Sequence, residues 1–150
     1  MIEGKTMKNV TEERMRKLTA IKFSELPLER AIKHVRGDGK RVMATFEDPN
    51  CGYCKRLAKD LLKLDNVTVY TFLFPILSED SIRKSKQIWC SPDRTKAWDE
   101  FFVSGTVPDN KGDCSNPVAA TQALGQKLRI QATPTMILAD GSILPGAVPL

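Results

Sequence analysis

Val42-Met43-Ala44-Thr45-Phe46-Glu47-Asp48-Pro49-Asn50-Cys51-Gly52-Tyr53-Cys54-Lys55-Arg56-Leu57-Ala58-Lys59-Asp60-Leu61-Leu62 joins an apolar run to an amphipathic one across two cysteines. Val42 to Phe46 is short and apolar, which predicts a central strand. Glu47-Asp48-Pro49-Asn50 ends it. Leu57, Ala58, Leu61 and Leu62 then recur on one face, with Lys55, Arg56, Lys59 and Lys63 on the other, the pattern of a helix packed on a sheet. Val67 to Phe74 is apolar and β-branched on both faces and predicts a buried strand, parallel to the first. Strand, helix and strand within roughly 35 residues make one βαβ unit, so the fold class is α/β. Cys51-Gly52-Tyr53-Cys54 stands at the strand-to-helix seam. Two thiols with this spacing close into a small reversible disulfide. The first also meets the positive end of a helix, which lowers a thiol pKa and favours the attacking thiolate. The motif points to thiol–disulfide exchange.

Upstream, Thr11 caps a helix with Glu12 and Glu13 in its first turn. Met15 and Leu18 give it only a thin apolar edge, so it reads as a connector. A short helix is expected from Pro27 to about Val35, broken by Gly37-Asp38-Gly39. His34, the only histidine, falls on it and reads as a surface or helix-end residue. Downstream, Ile82, Ile88 and Trp89 mark a helix ending near Cys90-Ser91-Pro92. Ala97, Trp98, Phe101 and Phe102 mark another, their rings forming its core. A loop over Val103 to Asp113 leads to Asn116-Pro117, a cap-then-proline start for a helix to about Leu128. Thr135 to Leu138 predicts a strand, Asp140-Gly141 a hairpin, and Ser142-Ile143-Leu144 the return.

At 150 residues, 41% hydrophobic and 27% charged, the chain has the size and composition of one globular domain. It holds no apolar run near the roughly 20 residues that span a bilayer. Met1-Ile2-Glu3-Gly4-Lys5 leads into polar sequence rather than a secretory leader. The chain therefore reads either as cytosolic or as a form whose leader has been removed. The net charge of +5 is spread along the chain without aromatic interleaving. It reads as a solvated basic face, and no nucleic-acid partner is expected. Four cysteines, Cys51, Cys54, Cys90 and Cys114, allow two disulfides in three connectivities. The close pair suits redox cycling, and the distant pair reads better as a structural bridge, which would imply an oxidising compartment. The chemical rival is a zinc site of four thiolates, but such sites use paired short-spaced ligands and only one pair here is short. No metal and no cofactor are expected.

Thr133-Pro134 directly precedes the late strand. In thioredoxin-type folds a proline there is cis and lies against the active disulfide, leaving the backbone of the preceding residue free to pair with an extended substrate. Phe46-Glu47-Asp48-Pro49-Asn50-Cys51-Gly52-Tyr53-Cys54, Ile88-Trp89-Cys90, Cys114, Thr133-Pro134 and Leu144-Pro145-Gly146 together carry a resemblance. From about Lys40 to Gly146 the chain resembles the catalytic domain of the DsbC/DsbG-type periplasmic thiol–disulfide isomerases. The resemblance implies a thioredoxin fold with an inserted helical subdomain. That puts a catalytic domain at 23–150, with the insert at about 78–115, after a linker and dimerisation remnant at 1–22. It implies a redox pair Cys51–Cys54 and a structural disulfide Cys90–Cys114. Cys51 is then the exposed nucleophile and Cys54 the buried resolving thiol. Gly52 and Tyr53 tune the pair, and Thr133 and Pro134 bind the client backbone.

The implied partners are exported client proteins with non-native disulfides and a membrane-linked thiol reductant, in the periplasm. A homodimer is implied for the full-length protein, with this span alone read as a monomer. A monomeric dithiol oxidase or reductase is the alternative within redox enzymes, and a chaperone-like client-binding protein the alternative outside them. Two departures accompany the resemblance. Thr45 stands six residues before Cys51, where thioredoxin-like proteins often carry a buried acid. The Cys54 proton then needs water or a nearer carboxylate, Glu47 or Asp48, although both read as part of a solvated loop. The family's closing C-terminal helix has no counterpart before Val148-Pro149-Leu150.

Overall fold

The computed structural model describes residues 23–145, the last by its backbone alone. The helix expected from Thr11, the boundary near residue 22 and the Val148–Leu150 end lie outside the described residues. Two short 3-10 turns, Phe23–Glu25 and Leu28–Arg30, precede β1 (Ile32–Arg36) and β2 (Arg41–Glu47). Then come α1 (Gly52–Leu61), β3 (Val67–Leu73), α2 (Glu79–Trp89), α3 (Arg94–Ser104), α4 (Val118–Lys127), β4 (Thr135–Leu138) and β5 (Ile143–Pro145). The sheet order is β1-β3-β2-β4-β5. β2 and β3 run parallel and the other pairs antiparallel. The βαβ unit read from the sequence is therefore the centre of the sheet.

The expected helix from Pro27 to Val35 is a correction. The segment makes one 3-10 turn and then the edge strand β1. Ile32 and His34 are buried while Lys33 and Val35 are exposed, a period of two that only a strand satisfies. Pro27 starts the turn that precedes it.

The register divides the sheet into two faces. Residues paired across strands share a face, so Ile32, His34, Thr45, Glu47, Thr71 and Leu73 stand on the same side, under α1 and the aromatic residues of α2 and α3. Phe46 and Phe72 stand on the other side, stacked at 4.9 Å, with Phe74 edge-on to Phe46 at 5.9 Å. There they meet Leu124 and Leu128 of the α4 segment. Each such ring contributes roughly 1.5–3 kcal/mol by leaving water.

The helix starts follow local chemistry. Ser78 Oγ accepts the Ser81 N–H at 3.2 Å at the head of α2. The Asp93 carboxylate accepts the Lys96 N–H at 3.1 Å at the head of α3. Asn116 Oδ1 accepts the Val118 N–H at 3.1 Å, and Pro117 rather than Asn116 takes the cap position, so the helix starts one residue later than the Asn116-Pro117 signal predicts. Gly105, at φ +72°, ends α3 in the left-handed conformation that glycine adopts without strain. α2 and α3 stand between β3 and α4 in the chain. Ile88, Trp89, Trp98 and Phe102 from them share one core with Cys51 and Cys54, so this helical pair closes over the cysteine end of the sheet.

Candidate functional site

β2 runs the chain into the sheet centre and releases it at Glu47, four residues before Cys51. Cys51 caps α1, and its Sγ accepts the Cys54 N–H at 3.1 Å. The same sulfur lies 3.4 Å from the Thr133 carbonyl oxygen, to which the thiol donates. Thr133–Pro134 is cis. The structure thus brings Cys51, Cys54, Thr133 and Pro134 to one place from sequence positions 82 residues apart. Cys54 is fully buried, but Cys51 is only 6% exposed, which corrects the expectation of an openly exposed nucleophile. Its sulfur lies against the Thr133 carbonyl, and it packs in one core with Ile88, Trp89, Trp98 and Phe102 of the helical pair. Tyr53, by contrast, is 65% exposed, and a side chain at Gly52 would meet nothing within 4 Å.

The carboxylates before the cysteines are also a correction, because neither lies in a solvated loop. Asp48 is fully buried. Its Oδ1 accepts the Asn50 N–H at 2.8 Å, and its Oδ2 accepts the N–H groups of Ile76 and Leu77 at 2.8 and 2.9 Å. One side chain therefore ties the approach to Cys51 to the loop after β3, where Ile76 and Leu77 expose apolar surface. Asn50 fastens the same approach to α2. Its Nδ2 donates to Asp80 Oδ2 at 3.1 Å and Ser81 Oγ at 3.0 Å, and Lys84 Nζ donates to its Oδ1 at 2.9 Å. Hydrogen bonds from Lys84 and Asn50 hold the Asp80 carboxyl below its ordinary range.

Glu47 is the functional candidate that the sequence reading undervalued. It is 1% exposed. The Thr45 hydroxyl donates to its Oε2 at 2.6 Å and the Thr71 hydroxyl lies 3.5 Å from the same oxygen. Oε1 has no hydrogen-bond partner among the described residues. Burial pushes the carboxyl up to about 7, against the opposing pull of the two hydroxyls. Burial first, then the nearby Glu47 charge, pushes the Cys54 thiol far above the ordinary thiol range. Thr45, in the position where an acid was sought, instead holds the acid that stands two residues later on the same face of β2. The available signal was the strand period: Thr45 and Glu47 alternate with Ala44 and Phe46, so the strand continues through the charge.

His34 lies on β1, buried, with Nδ1 3.7 Å from Asp99 Oδ1 on α3, which corrects its placement on a helix surface. Burial, helped by the Arg36 charge, pushes its pKa down to about 4. Cys90 and Cys114 are joined in a disulfide between the end of α2 and the loop before α4, so they are not available to a four-thiolate metal site. No cluster of three or more histidines, cysteines or acids suited to a metal occurs among the described residues.

Comparison with known proteins agrees with this geometry. Residues 28–150 match the family described as a thioredoxin-like domain. The chain is 48% identical over 149 residues to a probable thiol:disulfide interchange protein DsbC of Bordetella parapertussis, covering 99% of this chain and 53% of that protein. It is 32% identical over 114 residues to the thiol:disulfide interchange protein DsbC of Escherichia coli, covering 73% of this chain and 48% of that one. Among solved structures, a disulfide interchange protein from Neisseria gonorrhoeae aligns with TM-score 0.80 and 42% identity, over 83% of this chain and 91% of that one. The chain spans about half the length of the curated relatives it matches.

Proposed function

The chain belongs to the thioredoxin-like family, alongside the DsbC-type disulfide interchange proteins, and we propose that it exchanges disulfides with exported proteins in the periplasm through Cys51 and Cys54. One observation carries the reading. The Cys51 sulfur receives a backbone N–H at the start of α1 and faces the Thr133 carbonyl, while Cys54 is sealed beneath it.

In the reaction, the Cys51 thiolate attacks one sulfur of a non-native client disulfide. A Cys51–client bond forms, the client S–S bond breaks, and the other client sulfur leaves as a thiolate. In isomerisation a second client thiol attacks the client sulfur of that adduct, which returns Cys51 reduced. In reduction Cys54 gives up its proton, attacks Cys51 Sγ and releases the client. Glu47, the buried carboxyl whose charge reaches Cys54, takes that proton. Thr133 lends its backbone to the client, and Tyr53, Ile76 and Leu77 offer it apolar contact. A membrane-linked thiol donor then restores the dithiol, and dimerisation of the full-length protein supplies the cleft for isomerisation.

The test is to trap the adduct. Cys54→Ala mixed with a scrambled disulfide protein should accumulate a dithiothreitol-sensitive complex linked through Cys51, and Cys51→Ser none. Equal trapping by Cys51→Ser would defeat the reading. The chaperone-like alternative predicts that Cys51→Ser still suppresses client aggregation while exchange stops.

A further inference from the structure

A sheet face packed under helices is ordinarily apolar. Here it carries a polar seam: Glu47 and Thr45 on β2, Thr71 on β3, His34 and Arg36 on β1. The hydroxyls of Thr45 and Thr71 lie 3.1 Å apart. Beside the seam is a cavity of about 20 Å³, lined by Glu47, His34, Arg36, Trp98 and Asp99 among others. Three of the lining residues each carry a buried polar atom, Glu47 Oε1, His34 Nε2 and Arg36 Nε, with no hydrogen-bond partner among the described residues. Leaving three such groups dry is costly, whereas a cavity of this size and polarity accommodates a water with two to four partners. At the far side, His34 Nδ1 lies 3.7 Å from Asp99 Oδ1, and that carboxylate is 41% exposed.

We propose that His34 and Asp99, across a water held in this cavity, carry protons between Glu47 and solvent, so that Glu47 can empty after each proton it takes from Cys54. The inference rests on the Glu47 reading given above. Cys54–SH gives its proton to the Glu47 carboxylate, and the Cys54 sulfur forms a bond to Cys51 Sγ. The Cys51–client bond breaks, and the client sulfur leaves with the electron pair. Glu47 then passes the proton through the water to the neutral imidazole edge and out beside Asp99. The charged and titratable groups around Glu47 are Cys54 from α1, His34 and Arg36 from β1, and Asp99 from α3, with Asp93 beyond it. Arg36 keeps a positive charge beside the route, which favours the neutral imidazole.

The test uses dithiobis(nitrobenzoate) on the reduced protein. Cys51 releases the first thionitrobenzoate, and Cys54, attacking the adduct, releases the second. The ratio of second to first rates is read against pH. His34→Leu should lower that ratio by about tenfold at neutral pH and below, a modest share of what proton transfer typically contributes. The deficit should close at higher pH, where Glu47 is already empty. His34→Gln, which keeps a polar atom toward the water but cannot take up a proton, should show the same pH-dependent deficit, and a wild-type ratio there would overturn the role of the imidazole. Asp99→Asn, at a half-exposed position that tolerates change, should fall in the same direction and decides the matter if His34→Leu does not fold.

The wild-type ratio in both His34→Leu and Asp99→Asn, with a loss in Glu47→Gln, would overturn the route and leave Glu47 standing. The wild-type ratio in Glu47→Gln would remove the Glu47 reading and this inference together. A loss in His34→Leu that is equal at every pH would be structural damage and would also overturn it.

Discussion

Glu47 and His34 are both buried on one sheet face and titrate in opposite senses. Glu47 is raised to about 7 from 4.5, so between those values the folded chain holds a proton that the unfolded chain has lost. Stability from this group is full at low pH and falls as pH rises to about 7. His34 is lowered to about 4 from 6.5, so over that window the unfolded chain holds the extra proton. Its stability is present above the upper value and is lost as pH falls through the lower one. At about 1.4 kcal/mol per pH unit for each proton, the two slopes nearly cancel through mildly acid pH. Glu47→Gln should unmask a stability that climbs with pH, by roughly 3 kcal/mol across the His34 window, and His34→Gln one that declines by a similar amount. Urea unfolding of the three proteins at a series of pH values reads this. Parallel curves for all three would sink the assignment. The cysteines were legible because their spacing is itself the chemistry. The burial of Glu47 was not, because a glutamate next to Asp48-Pro49-Asn50 has the composition of a turn and only the strand period argues otherwise.

The same contrast holds for elements. The βαβ unit, α2, α3, β4 and the Asn116-Pro117 helix start were legible because each has either a clear period or a chemical cap. β1 was not: five residues on a sheet edge carry too little pattern to outweigh the helix-start signal of Pro27. Tight contact between elements is also silent in sequence. Gly125 in α4 reads as a weak helix residue, yet a Cβ there would stand 2.3 Å from the ring of Phe74, and Phe74 is buried on the opposite face of the contact. Gly→Ala in a helix interior ordinarily stabilises by about 1 kcal/mol. Here overpacking outweighs it, so Gly125→Ala should lose about 1–3 kcal/mol. Thermal or denaturant unfolding decides the sign, and a stabilised variant would mean that α4 packs less closely on β3 than described.

For the whole molecule, Cys90–Cys114 closes a loop across a sequence separation of 24 and fastens the helical pair to the segment leading into α4. Loop closure of that length is worth about 3 kcal/mol. Cys90→Ala/Cys114→Ala should lose about that much in unfolding experiments while still exchanging disulfides; loss of exchange in a folded variant would give the second pair a redox role. On the proposed function, a single catalytic site should reduce protein disulfides but isomerise scrambled clients poorly, because the proposed dimer supplies the cleft. Efficient refolding of a multi-disulfide client by a proven monomer would contradict that. The account as a whole depends on which cysteines cycle. Equilibration in graded glutathione buffers, followed by alkylation and mass mapping of all four cysteines, measures it directly. Cys51 and Cys54 should convert together between dithiol and disulfide in one transition, with Cys90–Cys114 linked throughout. A Cys51–Cys54 pair locked in one state across the series, while the other pair cycles, would contradict it.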